Sequence, residues 1–296
     1  MVLKILHYDA FTDTPGMGNP AGIVLNADNL SEKQMQSVAA ATGYNETAFV
    51  LSSDKADICL RFFTPGHEMD LCGHATVASV YMMKEHGILK KDEILVETNA
   101  GILPVSATNI DDHIIVGMQQ AQYREEIFTG SLSNLAHSIG LSENDIDCRF
   151  PVVFGSTGIW TLILPIKHIS AFGNMKPKNS CFPEILFQKP HSSVHPFCLE
   201  TLHPEADMHG RHFSSPLSGT VEDPVTGTAS GVMGAYYQKH ILDSGNSKKI
   251  IIVEQGQDIG KDGIIKVELP TKKEDAVKIY GTAVFVKEFF VREQST

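Results

Sequence analysis

Two stretches of the chain follow one pattern, and that repeat constrains the fold more than any other feature. Gly73-His74-Ala75-Thr76 and Gly227-Thr228-Ala229-Ser230 each open a run of small and apolar residues. Each follows an acidic loop, with Glu68 and Asp70 before the first and Glu222 and Asp223 before the second. The separation of the two glycines, 73 to 227, is about half of the 296-residue chain. Chance similarity between two Gly-Ala-rich helix starts is the competing reading, but the shared loop-then-helix context favours a duplicated domain. A chain near this length also suits two domains of roughly 100–200 residues. The boundary is expected near 119–130, where Gln119-Gln120-Ala121-Gln122-Tyr123-Arg124-Glu125-Glu126 breaks the strand pattern. That gives halves 1–118 and 119–285 and a C-terminal tail, 286–296, whose candidate path leads back to the first half.

Short apolar runs bounded by Gly, Pro, Asn or Asp predict strands at 2–8, 21–26, 47–52, 57–63, 94–97, 102–107, 113–118, 150–154, 159–166, 250–254, 264–269 and 278–286. Helices are fewer. One over 31–42 starts at Ser31, has Glu32 in its first turn and stops before Gly43. Residues 74–86 and 228–240 are small and apolar all round, as in a helix buried on every side. A fourth helix is expected at 131–140. Many strands and few helices give an α+β class rather than alternating βαβ units.

A glycine ahead of a helix leaves first-turn N–H groups unpaired, and with the helix dipole they favour an anion. Two such starts, one per half, suit a carboxylate-bearing ligand held between the domains. The bland alternative is that Gly73 and Gly227 only permit close helix packing. Glu46 stands between a helix end and an apolar strand, where desolvation raises a carboxylate pKa toward a value useful for proton transfer; its competing role is a solvated strand-edge glutamate. Asp223, held extended by Pro224, is a candidate acid or base and otherwise a cap or turn residue. His74 is a proton carrier or anion donor, or a structural histidine. Cys72 sits where helix N–H groups lower a thiol pKa, but the repeat sets Thr226 opposite it. A threonine hydroxyl is too weak an acid to be the second base of a two-thiol racemase, so a buried structural cysteine is the favoured reading.

Other chemistries fail on the sequence. With 35 acidic and 24 basic residues the net charge is −11, and a negative field repels nucleic acid. No run approaches the roughly 18 apolar residues of a membrane span, and the first ten residues lack a signal-peptide pattern. Five cysteines without a Cys-x-x-Cys pair argue against a disulfide framework or a zinc ribbon, leaving the cytoplasm as the expected compartment. Gly16-Met17-Gly18-Asn19-Pro20-Ala21-Gly22 leads into a strand, not a helix, so it is no dinucleotide fingerprint. His203, His209 and His212, with His191 and His195 nearby, match no helical ligand pair, and no metal is expected.

Asp9-Ala10-Phe11-Thr12, Gly18-Asn19-Pro20-Ala21-Gly22, Asn45-Glu46-Thr47-Ala48-Phe49, Arg61-Phe62-Phe63-Thr64-Pro65, Leu71-Cys72-Gly73-His74-Ala75-Thr76 and Glu222-Asp223-Pro224-Val225-Thr226-Gly227-Thr228-Ala229 occur in that order. Together they closely resemble the PhzF-type phenazine-biosynthesis-like proteins of the diaminopimelate epimerase-like fold. The resemblance implies two similar domains, each a mostly antiparallel barrel-like sheet around a central helix, with the active site between them. It implies an isomerase, since known members include a cofactor-free isomerase of a dihydro-hydroxyanthranilate. By similarity Glu46 is the proton-shuttling base, with His74, Asp223 and Thr228 as partners. Asn19, Cys72, Gly73 and Gly227 then bind a small carboxylate-bearing metabolite. No cofactor is implied, and a homodimer is the candidate assembly. An amino-acid epimerase or racemase, or a non-catalytic metabolite-binding protein, is the alternative. Two positions depart from the family pattern. Thr228 replaces a frequent serine, and Gln255-Gly256 is followed by Gly260-Lys261 where relatives often carry Gly-Arg, removing a planar guanidinium.

Overall fold

A computed structural model describes residues 2–243, 248–272 and 275–292. The chain divides into two units, one holding residues up to 119 together with those from 280 onward, the other holding 120–279.

In the first unit the elements run β1 (Val2–Ala10), β2 (Asn19–Val24), α1 (Glu32–Thr42), β3 (Thr47–Leu51), β4 (Ile58–Phe63), β5 (Glu68–Met69), α2 (Gly73–Glu85), β6 (Glu93–Thr98), β7 (Gly101–Ile110) and β8 (His113–Gln119). The C-terminal strand Ala283–Arg292 completes it, antiparallel to β1. Pairing is antiparallel for β1–β2, parallel for β2–β3, antiparallel for β3–β4 and β4–β5, parallel for β4–β6, then antiparallel for β6–β7 and β7–β8. α1 begins with a reciprocal capping box between Ser31 and Gln34 and ends on left-handed Gly43. Its Met35, Val38 and Ala39 share a buried cluster with Ile5, Phe49 and Phe63. α2 packs against β1, β2, β3, β7, β8 and the C-terminal strand, so nearly every residue from His74 to Met83 is buried. Small side chains make that approach possible. The Thr76 hydroxyl donates to the Cys72 carbonyl at 2.7 Å, so a buried polar group is satisfied within the helix.

The second unit repeats the plan. Its elements are β9 (Arg124–Ile127), α3 (Leu132–Ser138), β10 (Val153–Ser156), β11 (Trp160–Pro165), α4 (Phe182–Ile185), β12 (Ser193–Cys198), β13 (Met208–Gly210), β14 (His212–Phe213), β15 (Glu222–Asp223), α5 (Gly227–His240), β16 (Ile250–Gln255) and β17 (Gly263–Glu268). Pairing is antiparallel for β10–β11, parallel for β11–β12, antiparallel for β12–β13, β12–β14 and β14–β15, parallel for β13–β16 and antiparallel for β16–β17. That is the order of the first unit, with α5 in the place of α2. β9, antiparallel to β10, stands as the C-terminal strand stands to β1. The Ser230 hydroxyl donates to the Thr226 carbonyl at 2.9 Å, as Thr76 does to Cys72. A cluster around Leu135, Phe154, Phe172, Phe182 and Phe213 forms this unit's apolar core.

Four expectations need correction. The segment expected to break the strand pattern contains β9, because its backbone pairs with β10 although its sequence is charged. Glu125 accepts from Tyr123, Lys239 and His240 there. β12 was not expected, since Pro196 and His195 interrupt its apolar pattern, yet all six residues are buried. The strand expected over 278–286 is split at Thr282 into Lys278–Gly281 and Ala283–Arg292. Finally, the chain rejoins the first unit at 280 rather than 286. Phe11 explains the early return: its N–H donates to the Thr282 carbonyl at 2.8 Å, and its ring lies where a Gly281 Cβ would stand, 2.3 Å from that point.

Candidate active site

In the first unit the sequence brings three of the expected residues together at the start of α2. Glu46 is set by the turn between α1 and β3. Left-handed Gly43 ends the helix, and the Thr42 and Thr47 hydroxyls bond at 3.0 Å across the turn. The Tyr44 ring packs 4.6 Å from that of His7, and the Glu46 carbonyl accepts from Gly22 N at 3.2 Å. Cys72 is the N-cap of α2 and His74 its second residue, both buried. Glu46 Oε2 lies 3.2 Å from His74 Nε2, and Cys72 Sγ lies 3.5 Å from His74 Nδ1 and 3.8 Å from Nε2. Burial alone pulls the His74 pKa down, but Cys72 and Glu46 outweigh it and hold that pKa well above the ordinary histidine value. Burial pushes the Cys72 thiol up, against the pull of His74 and the Ala75 amide. A Cβ on Gly73 would meet nothing within 4 Å. Close packing is thus not what requires glycine there, and the space at the helix start is open. Asn19 opens β2 opposite Ala10 and is fully buried.

The second unit carries its own polar cluster at the start of α5. Asp223 ends the two-residue β15, paired with His212. Its Oδ2 accepts from the Thr226 hydroxyl at 2.5 Å. The Gln255 amide ties the segment down: Nε2 donates to the Asp223 carbonyl at 2.8 Å and to Thr226 Oγ1 at 3.2 Å, and Oε1 accepts from Thr226 N at 3.1 Å. Thr228 is half-buried in the first turn, its carbonyl accepting from Thr157 Oγ1 at 3.3 Å. Neither N-cap, Cys72 nor Thr226, makes a side-chain cap bond.

Several contributors lay outside the sequence reading. Glu68 and Glu222, read as parts of acidic loops, are held bidentately by Arg61 and Arg211, which fasten the short strands β5 and β15 ahead of the two helices. The same arginines stack over Phe63 and Phe213 at 5.2 and 4.9 Å. His7 Nε2 lies 2.8 Å from Asp9 Oδ1, and Asp9 Oδ2 accepts from Gly16 N at 2.7 Å. Asp9 stood in a quoted motif, but the alternation of β1 hides its pairing with His7. The histidines of the second unit fall into separate pairs: His209 between Glu254 and Asp258, His203 on Asp262, and His195 Nδ1 at 3.1 Å from His212 Nδ1. Among the described residues, the metal-ligating types that converge as a group of three are Glu46, Cys72 and His74.

With this geometry in place, the relatives of this mixed α+β chain place it by class and family. An isomerase of Bacillus subtilis (strain 168), YfhB, itself called uncharacterized, is 51% identical over 95% of this chain and 96% of its own length. A crystal structure of a PhzF-family phenazine biosynthesis protein from Bacillus anthracis matches 99% of both chains at 50% identity with a TM-score of 0.94. The fold also matches, at 13% identity and a TM-score of 0.63, a hydroxyproline epimerase from Agrobacterium vitis with bound trans-4-hydroxy-L-proline, covering 98% of this chain and 92% of that one. The phenazine biosynthesis-like family model matches residues 8–289, and the chain belongs to that family. It is an isomerase. No described helix is long and apolar enough to cross a membrane.

Proposed function

We propose that this isomerase moves a proton within a small carboxylate-bearing metabolite without a cofactor, with Glu46 as the group that takes and returns it. The observation that carries this reading is the 3.2 Å approach of Glu46 Oε2 to His74 Nε2 at the open start of α2. A carboxylate beside an imidazole can accept a proton from carbon while the imidazole holds the carboxylate in place. First-turn N–H groups around Gly73, and their counterparts around Gly227, suit the substrate carboxylate, and Asp223 and Thr228 are assigned as partners in the transfer. In this reading each sheet closes barrel-like around its helix. The bound hydroxyproline of the Agrobacterium epimerase supports a small carboxylate as the substrate class.

Turnover is sought in D2O against a panel of cyclic and acyclic carboxylates, reading deuterium incorporation by mass spectrometry. Glu46→Gln keeps size and hydrogen bonding but cannot accept the proton, and should lower exchange by on the order of 10²–10⁴-fold. The 3.5 Å contact of Cys72 with His74 favours one second reading, an epimerase that uses the thiol. A dead Cys72→Ala beside an active Glu46→Gln would move the assignment there.

A further inference from the structure

Glu46, Cys72 and His74 offer one oxygen, one sulfur and one nitrogen ligand atom, all within 4.8 Å of one another. We propose that this triad is an inhibitory site for a thiophilic divalent cation of the zinc type, which binds in place of protons on its ligand atoms. Zinc with ligand bonds of about 2.0–2.3 Å in a tetrahedron sets its ligands about 3.3–3.6 Å apart. The observed edges are 3.2 Å from Glu46 Oε2 to His74 Nε2 and 3.8 Å from that nitrogen to Cys72 Sγ. A small side-chain adjustment that closes the third edge completes a three-ligand face.

The donor chemistry selects the ion. Thiolate and imidazole favour zinc, cobalt and similar metals over magnesium or calcium, which take oxygen ligands. The positive end of α2 opposes a cation, but thiolate and carboxylate together offset a double charge. Binding releases the thiol proton, and any proton on the coordinating imidazole nitrogen, to solvent, and no other bond changes. Three protein ligands leave a fourth position open for water or for the substrate carboxylate. The ion therefore occupies the groups that would shuttle the proton and blocks turnover until a chelator removes it. The second unit cannot do the same at its helix start, where Thr226 and Thr228 stand in the places of Cys72 and His74.

The inhibitory consequence rests on the proton-transfer reading above, while the binding itself is measured without substrate. Chelator-treated protein is titrated with Co²⁺ and then with Zn²⁺. A thiolate-to-cobalt absorption band should saturate at one ion per chain and be displaced by zinc but not by magnesium. Cys72→Ser, checked for folding by circular dichroism, should abolish the band although Cys59, Cys148, Cys181 and Cys198 remain. Glu46→Gln, a change of little bulk that keeps the thiol, should weaken Zn²⁺ binding at least tenfold. A band that survives in folded Cys72→Ser, equal binding of magnesium, or unchanged zinc affinity in Glu46→Gln overturns the site. A Glu46→Gln enzyme that still exchanges deuterium would instead overturn the base assignment and leave the titration standing.

Discussion

The two arginine–glutamate pairs ahead of the central helices look alike but should respond differently to the same substitution. Arg211 and Glu222 have side chains only 7% and 11% exposed, against 22% and 18% for Arg61 and Glu68. Arg211 donates at 2.8 and 2.6 Å to the two Glu222 oxygens and at 2.7 Å to the Phe172 carbonyl. Arg211→Met keeps the length of the side chain but leaves a buried carboxylate and a buried carbonyl without their donor. Breaking a buried pair from one side costs about 3–5 kcal/mol. For a unit of this size that shifts thermal unfolding downward on the order of 10 °C. Arg61→Met exposes Glu68 to water more readily, and partly exposed pairs contribute about 1–2 kcal/mol at most. Calorimetry on both variants reads the difference. The double variant Arg211→Met/Glu222→Leu should recover most of the loss, since removing both charges removes the desolvation cost as well. Equal destabilisation by the two single variants, or a loss below 1 kcal/mol for Arg211→Met, would refute the burial argument.

Gly256→Ala should cost at least about 3 kcal/mol, read by urea unfolding, because φ is +99° and the new Cβ would stand 1.7 Å from the Lys261 carbonyl oxygen. Burial lowers the His212 pKa to about 4, so the unfolded chain takes up a proton near pH 6.5 that the folded chain refuses. Stability contributed by neutral His212 is thus present above pH 6.5 and lost between there and pH 4, on the order of 3 kcal/mol; His212→Gln should flatten that limb in urea melts at pH 7 and 4.5. His209 has the opposite sign. Burial lowers its pKa, but Asp258 and Glu254 outweigh that and raise it. Its contribution is therefore full below pH 6.5 and lost as pH rises through the raised value, and His209→Gln should remove that alkaline limb.

Local signals carried much of the fold. Ser31 and Gly43 mark α1 because capping and left-handed termination act within a few residues, and the small residues after Gly73 and Gly227 announce helices buried all round. What escaped was non-local. β12 contains Pro196 yet is central, because its neighbours β11 and β13 supply the pairing that its own sequence disguises. The arginine clasps escaped for a similar reason: Arg61 and Glu68 are seven residues apart, Arg211 and Glu222 eleven. No fixed spacing shows that two short strands place the same pair in the same role. At the candidate site Glu46, Cys72 and His74 were named from sequence, but their mutual contact depends on the α1–β3 turn reaching the start of α2.

The duplication itself separates scaffold from chemistry. Shifted by the repeat, Glu68 matches Glu222, Gly73 matches Gly227 and Thr76 matches Ser230, and in the structure each pair does the same work in both units: strand clasp, helix start, hydroxyl on the N-cap carbonyl. Cys72 matches Thr226, His74 matches Thr228 and Met69 matches Asp223. The parallel ladders extend the comparison, for β2–β3 begins at Gly22 with Thr47 and β11–β12 begins at Thr161 with Ser193. Glu46 therefore precedes its strand where Ser192 precedes the other. A two-base epimerase needs a proton carrier of comparable acidity on each side of the reacting carbon. Here carboxylate, imidazole and thiol all meet in one unit, and the counterparts of those three in the other are hydroxyls, none of which ionises near neutral pH; the other unit's own carboxylate, Asp223, accepts from the Thr226 hydroxyl. That asymmetry supports the proposed reading, in which a single base, Glu46, shuttles the proton and returns it on the side from which it came.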